Sequence, residues 1–184
     1  RVMVAPPFTH VFGLTCATLA LCWGSSNILM SLFTPELYTD RLINAKPSIL
    51  FSAPAHVAAS IKAGLLDDVD LSSLKEVIIA GSVCPPEVAA DLERRMPNGR
   101  SGQLFGMTET ILIMQTPLNE RPEIRHSSTG RKTEGINFRI VNPLNDAEVA
   151  VGEEGELLLD GYAIMAGYLN NEAANEAAFT SDGF

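Results

Sequence analysis

The sequence predicts an α/β fold: a mainly parallel sheet flanked by helices, followed by part of a smaller antiparallel, β-barrel-like subdomain. Three observations carry this. Up to residue 115, short Val/Ile/Leu-rich runs alternate with longer segments that open on proline and close on glycine or proline. The runs are apolar throughout, as strands covered on both faces are. Beyond residue 115 the chain turns polar, and its short apolar runs are joined by Asn-, Asp- and Pro-rich turns. The division expected is an α/β subdomain at 1–115 and a β-rich subdomain at 116–184.

Val2 to Ala5 reads as the first strand, stopped by Pro6-Pro7, which cannot supply the ladder N–H. Thr9 is placed to cap the helix that follows, which is apolar nearly all round and runs to about Cys22. Asn27 to Leu32 reads as the second strand. Thr34-Pro35-Glu36 is a helix start, with a cap, a first-turn proline and an acid. That helix ends near Ala45, before Pro47. Ser48 to Ser52 is the third strand, and Pro54 opens a helix to about Ala63, closed by Gly64. Lys75 to Ala80 is the fourth strand. Pro85-Pro86-Glu87 opens a helix ending near Arg95, where Arg94 and Arg95 face the negative end of the dipole. Ser101 to Phe105 is the fifth strand. Further on, Ile136 to Val141 and Glu156 to Asp160 read as strands and Asn171 to Ala178 as a short helix.

With 184 residues, 46% hydrophobic and 19% charged, the chain can bury a core and is not a disordered sequence. A net charge of −9 argues against a nucleic-acid partner, since phosphate backbones call for Lys and Arg. It leaves room for a single nucleotide, held by backbone N–H groups and a metal ion. Cys16, Cys22 and Cys84 form no Cys-x-x-Cys pair and read as reduced, buried thiols of a cytoplasmic protein. The apolar run from Val11 to Trp23 is shorter than the roughly 20 residues a transmembrane helix takes.

The stretch with the most chemistry is Gln103-Leu104-Phe105-Gly106-Met107-Thr108-Glu109-Thr110. An apolar strand runs into glycine, then a hydroxyl and a carboxylate. Glycine admits a ligand close to the backbone. Thr108 can donate to a phosphate oxygen, Glu109 can ligate Mg2+, and Phe105 offers a flat face to a base. The same residues also suit an ordinary turn and helix cap. In parallel sheets ligands gather at the carboxyl ends of strands, where both Gly81-Ser82 and Gly106-Thr108-Glu109 fall.

This stretch closely resembles the Tyr-Gly-Met-Thr-Glu signature of the adenylate-forming (AMP-binding) superfamily. Pro6-Pro7-Phe8-Thr9-His10-Val11-Phe12-Gly13 resembles that family's Pro-x-x-His-x-x-Gly segment, and Val77 to Pro85 its strand followed by Gly-Gly-Ala-Pro. Gly152-Glu153-Glu154-Gly155-Glu156-Leu157 and Gly167-Tyr168-Leu169-Asn170 resemble its Gly-Glu-x-Gly-Glu-Leu and Gly-Tyr-x-Asn segments. The segments occur in family order, and the likeness is to acyl- and aryl-CoA synthetases. It implies ATP/AMP, Mg2+ and CoA as cofactors and co-substrates, a small carboxylic acid as substrate, and a place in fatty acid metabolism.

The resemblance also implies roles. Glu109 would ligate Mg2+, and Thr108 would hydrogen-bond the α-phosphate. Gly106 and Met107 would complete the nucleotide loop. Phe105 would stack on adenine, where the family usually has tyrosine. Ser82, Val83 and Cys84 would lie against the adenosine, although they depart from Gly-Ala-Pro. His10 would line the carboxylate and acyl pocket. Peptide-synthetase adenylation domains fit less well, because the Pro7–Gly13 region has His10 and no aspartate for an amine. An acyl-AMP ligase that does not use CoA, or a non-catalytic nucleotide- or acyl-binding module, remains as an alternative.

Several residues carry two readings. Ser82 follows a strand and precedes a helix, but Ala80-Gly81-Ser82-Val83-Cys84 is not Gly-x-Ser-x-Gly, which argues against a hydrolase. Gly13, Cys16 and Ala17 share one helix face and could line an acyl tunnel, with core packing the favoured explanation. His56 and His126 read as surface or helix histidines. Gly130-Arg131 reads as structural. The family's phosphate loop is expected before Arg1, its ribose-binding Asp after Phe184, and its C-terminal lobe beyond. The 184 residues are therefore expected to be an inactive internal fragment of the large N-terminal domain.

Overall fold

A computed structural model describes residues 1–184. The elements run β1 (Val2–Val4), α1 (Val11–Cys22), β2 (Asn27–Ile28), α2 (Pro35–Ala45), β3 (Ile49–Ser52), α3 (Pro54–Lys62), β4 (Glu76–Ile79), α4 (Pro86–Arg94), β5 (Arg100–Phe105), β6 (Met114–Gln115), α5 (Pro122–Ser127), β7 (Arg131–Lys132), β8 (Ile136–Val141), β9 (Glu156–Gly161) and α6 (Glu172–Ala178). Seven strands form one sheet in the order β2-β1-β3-β4-β5-β6-β7. The first five are parallel, and β6 and β7 add antiparallel at one edge. The β8–β9 pair is a separate antiparallel hairpin.

Strand alternation divides the apolar residues between two faces. Met3, Leu50, Val77 and Ile79 enter one core with Tyr38 and Leu42 of α2, Val57 of α3 and Leu92 of α4. Val2, Val4 and Ala80 enter the other with Phe12, Cys16, Ala17 and Ala20 of α1. Both faces are apolar, which is why the strands read as continuous runs. Truncating a fully buried residue such as Leu92 to alanine would cost about 2–5 kcal/mol.

The capping of α2 follows the sequence: Thr34 Oγ1 accepts from the Leu37 amide at 3.1 Å, with Pro35 in the first turn. Asn171 caps α6 through the Ala174 amide at 3.2 Å. Other features differ from expectation. Helix α1 is capped by His10 and not by Thr9, because its first helical residue is Val11. Strand β2 closes after Ile28, and Leu29 and Leu32 are exposed. The polar stretch after residue 115 contains α5, whose Pro122 occupies the first turn. Cys16 and Cys84 are buried, but Cys22 is exposed at the end of α1.

The remaining histidines both sit on helices. His56 stacks on Phe33 with ring centroids 4.2 Å apart, and burial pulls its pKa down. His126 contacts Glu93 at 3.1 Å. Arg94 and Arg95, at the end of α4, pair with Asp91 and Asp67. No helix is long and apolar enough to cross a membrane.

Candidate active site

The site is built where β4 and β5 end. After β4 the chain turns at Gly81, whose φ of +93° lies in the region that favours glycine. After β5 it folds back sharply on itself. The amides of Thr110 and Ile111 donate to Met107 O at 3.1 and 2.7 Å, and that of Ile113 to Phe105 O at 3.0 Å. A Cβ on Gly106 would lie 1.6 Å from Ile111 O, so only glycine allows this return.

Two cavities flank these strand ends and share Gly81, Leu104 and Gly106 as a common wall. The first has a volume of about 360 Å³ and brings together Ser82, Val83, Cys84, Phe105 and Gly106, five of the residues named from sequence. Gln103, Ser127 and Thr129 add polar groups to it. The second, of about 240 Å³, lies beneath α1 and is mostly apolar. His10, Phe12 and Cys16 line it from the α1 side, and Phe51, Ile78 and Ala80 from the sheet.

Individual positions refine the expectations. Val83 is 90% exposed, whereas Cys84 is 2% exposed and belongs to the core, where burial pushes its thiol up to about 11. Met107 and Thr108 are exposed on the loop and line neither cavity. His10 Nδ1 accepts from the Phe12 amide at 3.1 Å, so the neutral ring carries its proton on Nε2. Cys16 lines the second cavity, with its thiol pushed up to about 12 by burial. Gly13 and Ala17 do not line it. Gly13 instead lets α1 pack onto the chain before it, where a Cβ would meet Pro7 O at 2.3 Å. Core packing therefore accounts for Gly13 and Ala17, while Cys16 packs in the core and also lines the cavity.

The hydrolase alternative gains no geometry. The rings of His10, His56 and His126 bond to the Phe12 amide, the Ala53 amide and Glu93, and none bonds to Ser82.

Glu109 is half-buried, with Oε1 accepting from Tyr168 Oη at 2.9 Å. No group of three or more acidic, His or Cys residues could hold a metal unaided. Mg2+ is commonly held by one or two carboxylates together with substrate phosphates. Glu109 lines neither cavity, but it follows the wall residue Gly106 by three positions, and a lone carboxylate with Oε2 uncommitted fits that mode of binding.

Some residues of the site were not singled out from sequence. Ser127 and Thr129 belong to a hydroxyl run, Ser127-Ser128-Thr129, that gave a signal in composition only. Their segment is anchored by Gln103 Nε2, which donates to His126 O at 2.7 Å, and by Thr116 Oγ1, which donates to Ser128 O at 2.7 Å. Tyr168 lay within the Gly-Tyr-x-Asn resemblance without a role.

The carboxyl ends of parallel strands, where these two cavities lie, are where open α/β sheets bind ligands. The chain belongs to the AMP-binding enzyme family, whose sequence model matches residues 1–169. It is 32% identical over 186 residues to YngI of Bacillus subtilis (strain 168), named as an acyl-CoA synthetase, covering 100% of this chain and 34% of the relative. It is 29% identical over 184 residues to luciferin 4-monooxygenase of Photuris pensylvanica, covering 100% of this chain and 33% of that protein. The fold superposes on a crystal structure of a long-chain-fatty-acid-CoA ligase of Archaeoglobus fulgidus with a TM-score of 0.86 at 20% identity, covering 100% of this chain and 39% of that one. The chain spans about a third of the length of the curated relatives it matches.

Proposed function

We propose that the full-length protein containing this chain is an AMP-forming acid–CoA ligase. It activates a carboxylic acid with ATP, giving acyl-AMP and pyrophosphate, and passes the acyl group to CoA with release of AMP. The observation that carries this is the common wall of the two cavities. A nucleotide in the 360 Å³ cavity and an acid in the 240 Å³ cavity would meet at Gly106, which Thr108 and Glu109 closely follow in the chain.

Each residue then has a task. Phe105 stacks on adenine, and the strip from Ser82 to Cys84 lies along the adenosine. Gly106 and Met107 form the loop that admits the phosphates, and Thr108 hydrogen-bonds the α-phosphate. His10 donates from Nε2 to the acid's carboxylate and holds it in line with the α-phosphorus. Glu109 holds Mg2+, which when bound neutralises phosphate charge. The apolar lining of the second cavity suits fatty, alicyclic or aromatic acids. The cytoplasm supplies ATP and CoA, and the 184 residues alone are expected to form no adenylate.

A ligase that stops at acyl-AMP is the second reading, since the matched family is named for AMP binding and not for CoA. The test is incubation of the full-length protein with ATP, Mg2+, CoA and a panel of apolar acids. Equal yields of AMP and acyl-CoA support the proposal. Acyl-AMP without thioester supports the second reading, and ATP left intact with every acid leaves only a binding module.

A further inference from the structure

We propose that Tyr168 is a positioning residue for Glu109, and that Asn175 holds Tyr168 in place for this task. The inference rests on the reading of Glu109 as the Mg2+ ligand. Four hydrogen bonds build the relay. Tyr168 Oη donates to Glu109 Oε1 at 2.9 Å, across 59 residues of sequence. Met165, on the same turn, donates its amide to Glu109 O at 2.8 Å, so both the main chain and the side chain of Glu109 are held from one segment. Asn175 of α6 then grips Tyr168 on both sides. Its Oδ1 accepts from the Tyr168 amide at 2.6 Å, and its Nδ2 donates to Tyr168 O at 3.0 Å.

The local backbone is shaped for this grip. Gly167 has φ of +139°, and a Cβ there would meet the Asn175 side-chain amide at 3.1 Å. Glycine thus lets the Asn175 amide group lie against the turn. The consequence for Glu109 is orientation. A glutamate on a loop has several rotamers and must be ordered before it can ligate. The Tyr168 hydroxyl occupies Oε1 and fixes the carboxylate plane, leaving Oε2 for a cation. This is the part that outer hydrogen-bond partners of metal ligands play.

The test uses the full-length protein and Mn2+ as the probe, with binding in the presence of ATP read by electron paramagnetic resonance. Tyr168→Phe should weaken Mn2+ uptake about tenfold, the lower end of the range for such partners. Its ATP binding in excess EDTA and its thermal midpoint should match those of the wild type. Asn175→Ala should shift Mn2+ affinity in the same direction, and the double variant should be little worse than Tyr168→Phe alone, because the two residues act in series. Wild-type Mn2+ affinity in Tyr168→Phe would overturn the inference. So would a loss matched by metal-free ATP binding and the thermal midpoint, which marks a general loosening of the fold. If Glu109→Ala keeps full Mn2+ affinity, the reading of Glu109 as the ligand fails instead, and the inference falls with it.

Discussion

Arg125 of α5 donates Nη2 to Glu93 Oε1 of α4 at 2.6 Å, while its Nη1 reaches Ser101 O of β5 at 2.6 Å. The guanidinium is 3% exposed. Glu93 also accepts from the Ser101 amide and hydroxyl at 2.8 and 2.9 Å. This cluster fixes α5 against β5, and so places Ser127 and Thr129 on the 360 Å³ cavity. Removing one partner of a buried pair strands the other charge. Glu93→Ala should therefore cost the full-length protein about 3–5 kcal/mol of stability, read from denaturant unfolding.

The same cluster predicts acid sensitivity. Burial would raise the Glu93 carboxyl, but hydrogen bonds from Arg125, Ser101 and His126 outweigh it and hold the group down at about 2, from an ordinary 4.5. A depressed carboxyl stabilises the fold fully above the unfolded value and loses that contribution as pH falls toward the folded one. The stability gap between wild type and Glu93→Gln should be constant above about pH 4.5 and should close between there and about pH 2. Unfolding midpoints at pH 7, 4.5 and 3 check this, and a gap that widens in acid would contradict it.

His10 has two separable tasks, capping α1 through Nδ1 and facing the second cavity with the rest of the ring. Asparagine is a good N-cap but cannot place a donor where Nε2 stands. His10→Asn should keep stability within about 0.5 kcal/mol of wild type, while His10→Ala should lose about 1 kcal/mol. Both should raise KM for the acid and leave KM for ATP unchanged. Equal acid kinetics in wild type and His10→Asn would reduce His10 to a cap.

Gly106 tests the loop. With Ile111 O only 1.6 Å from where a Cβ would sit, Gly106→Ala must displace residues 106–111. The cost should reach about 3 kcal/mol, the upper end for overpacking. ATP binding, followed by calorimetry, should be lost before the fold is.

Cys16 tests whether the cavity beneath α1 takes the acid. Cys16→Phe should shift preference toward smaller acids, by about 1–3 kcal/mol in kcat/KM for each methylene that no longer fits. An unchanged acid profile would place the acid elsewhere.

Much of this was legible in the chain and some was not, for physical reasons. The buried strands β3, β4 and β5 announce themselves because both their faces are apolar. Thr34-Pro35-Glu36 announces α2 because capping is local chemistry. The loop after β5 was legible because a glycine, a hydroxyl and a carboxylate follow a strand. Helix α5 was not, since it is short and polar, and its anchor is Glu93, 32 residues before Arg125. Strand β2 ends early because nothing covers Leu29 and Leu32 in this chain. The Tyr168–Glu109 bond joins positions that only the fold brings together, so no spacing rule finds it.

The most direct measurement is acid-dependent exchange of labelled pyrophosphate into ATP by the full-length protein, compared with its Glu109→Ala variant. Exchange that requires an apolar acid and is lost in the variant is the predicted result. Absence of exchange with every acid, or exchange undiminished by the substitution, would contradict the account of adenylation at the strand-end loop.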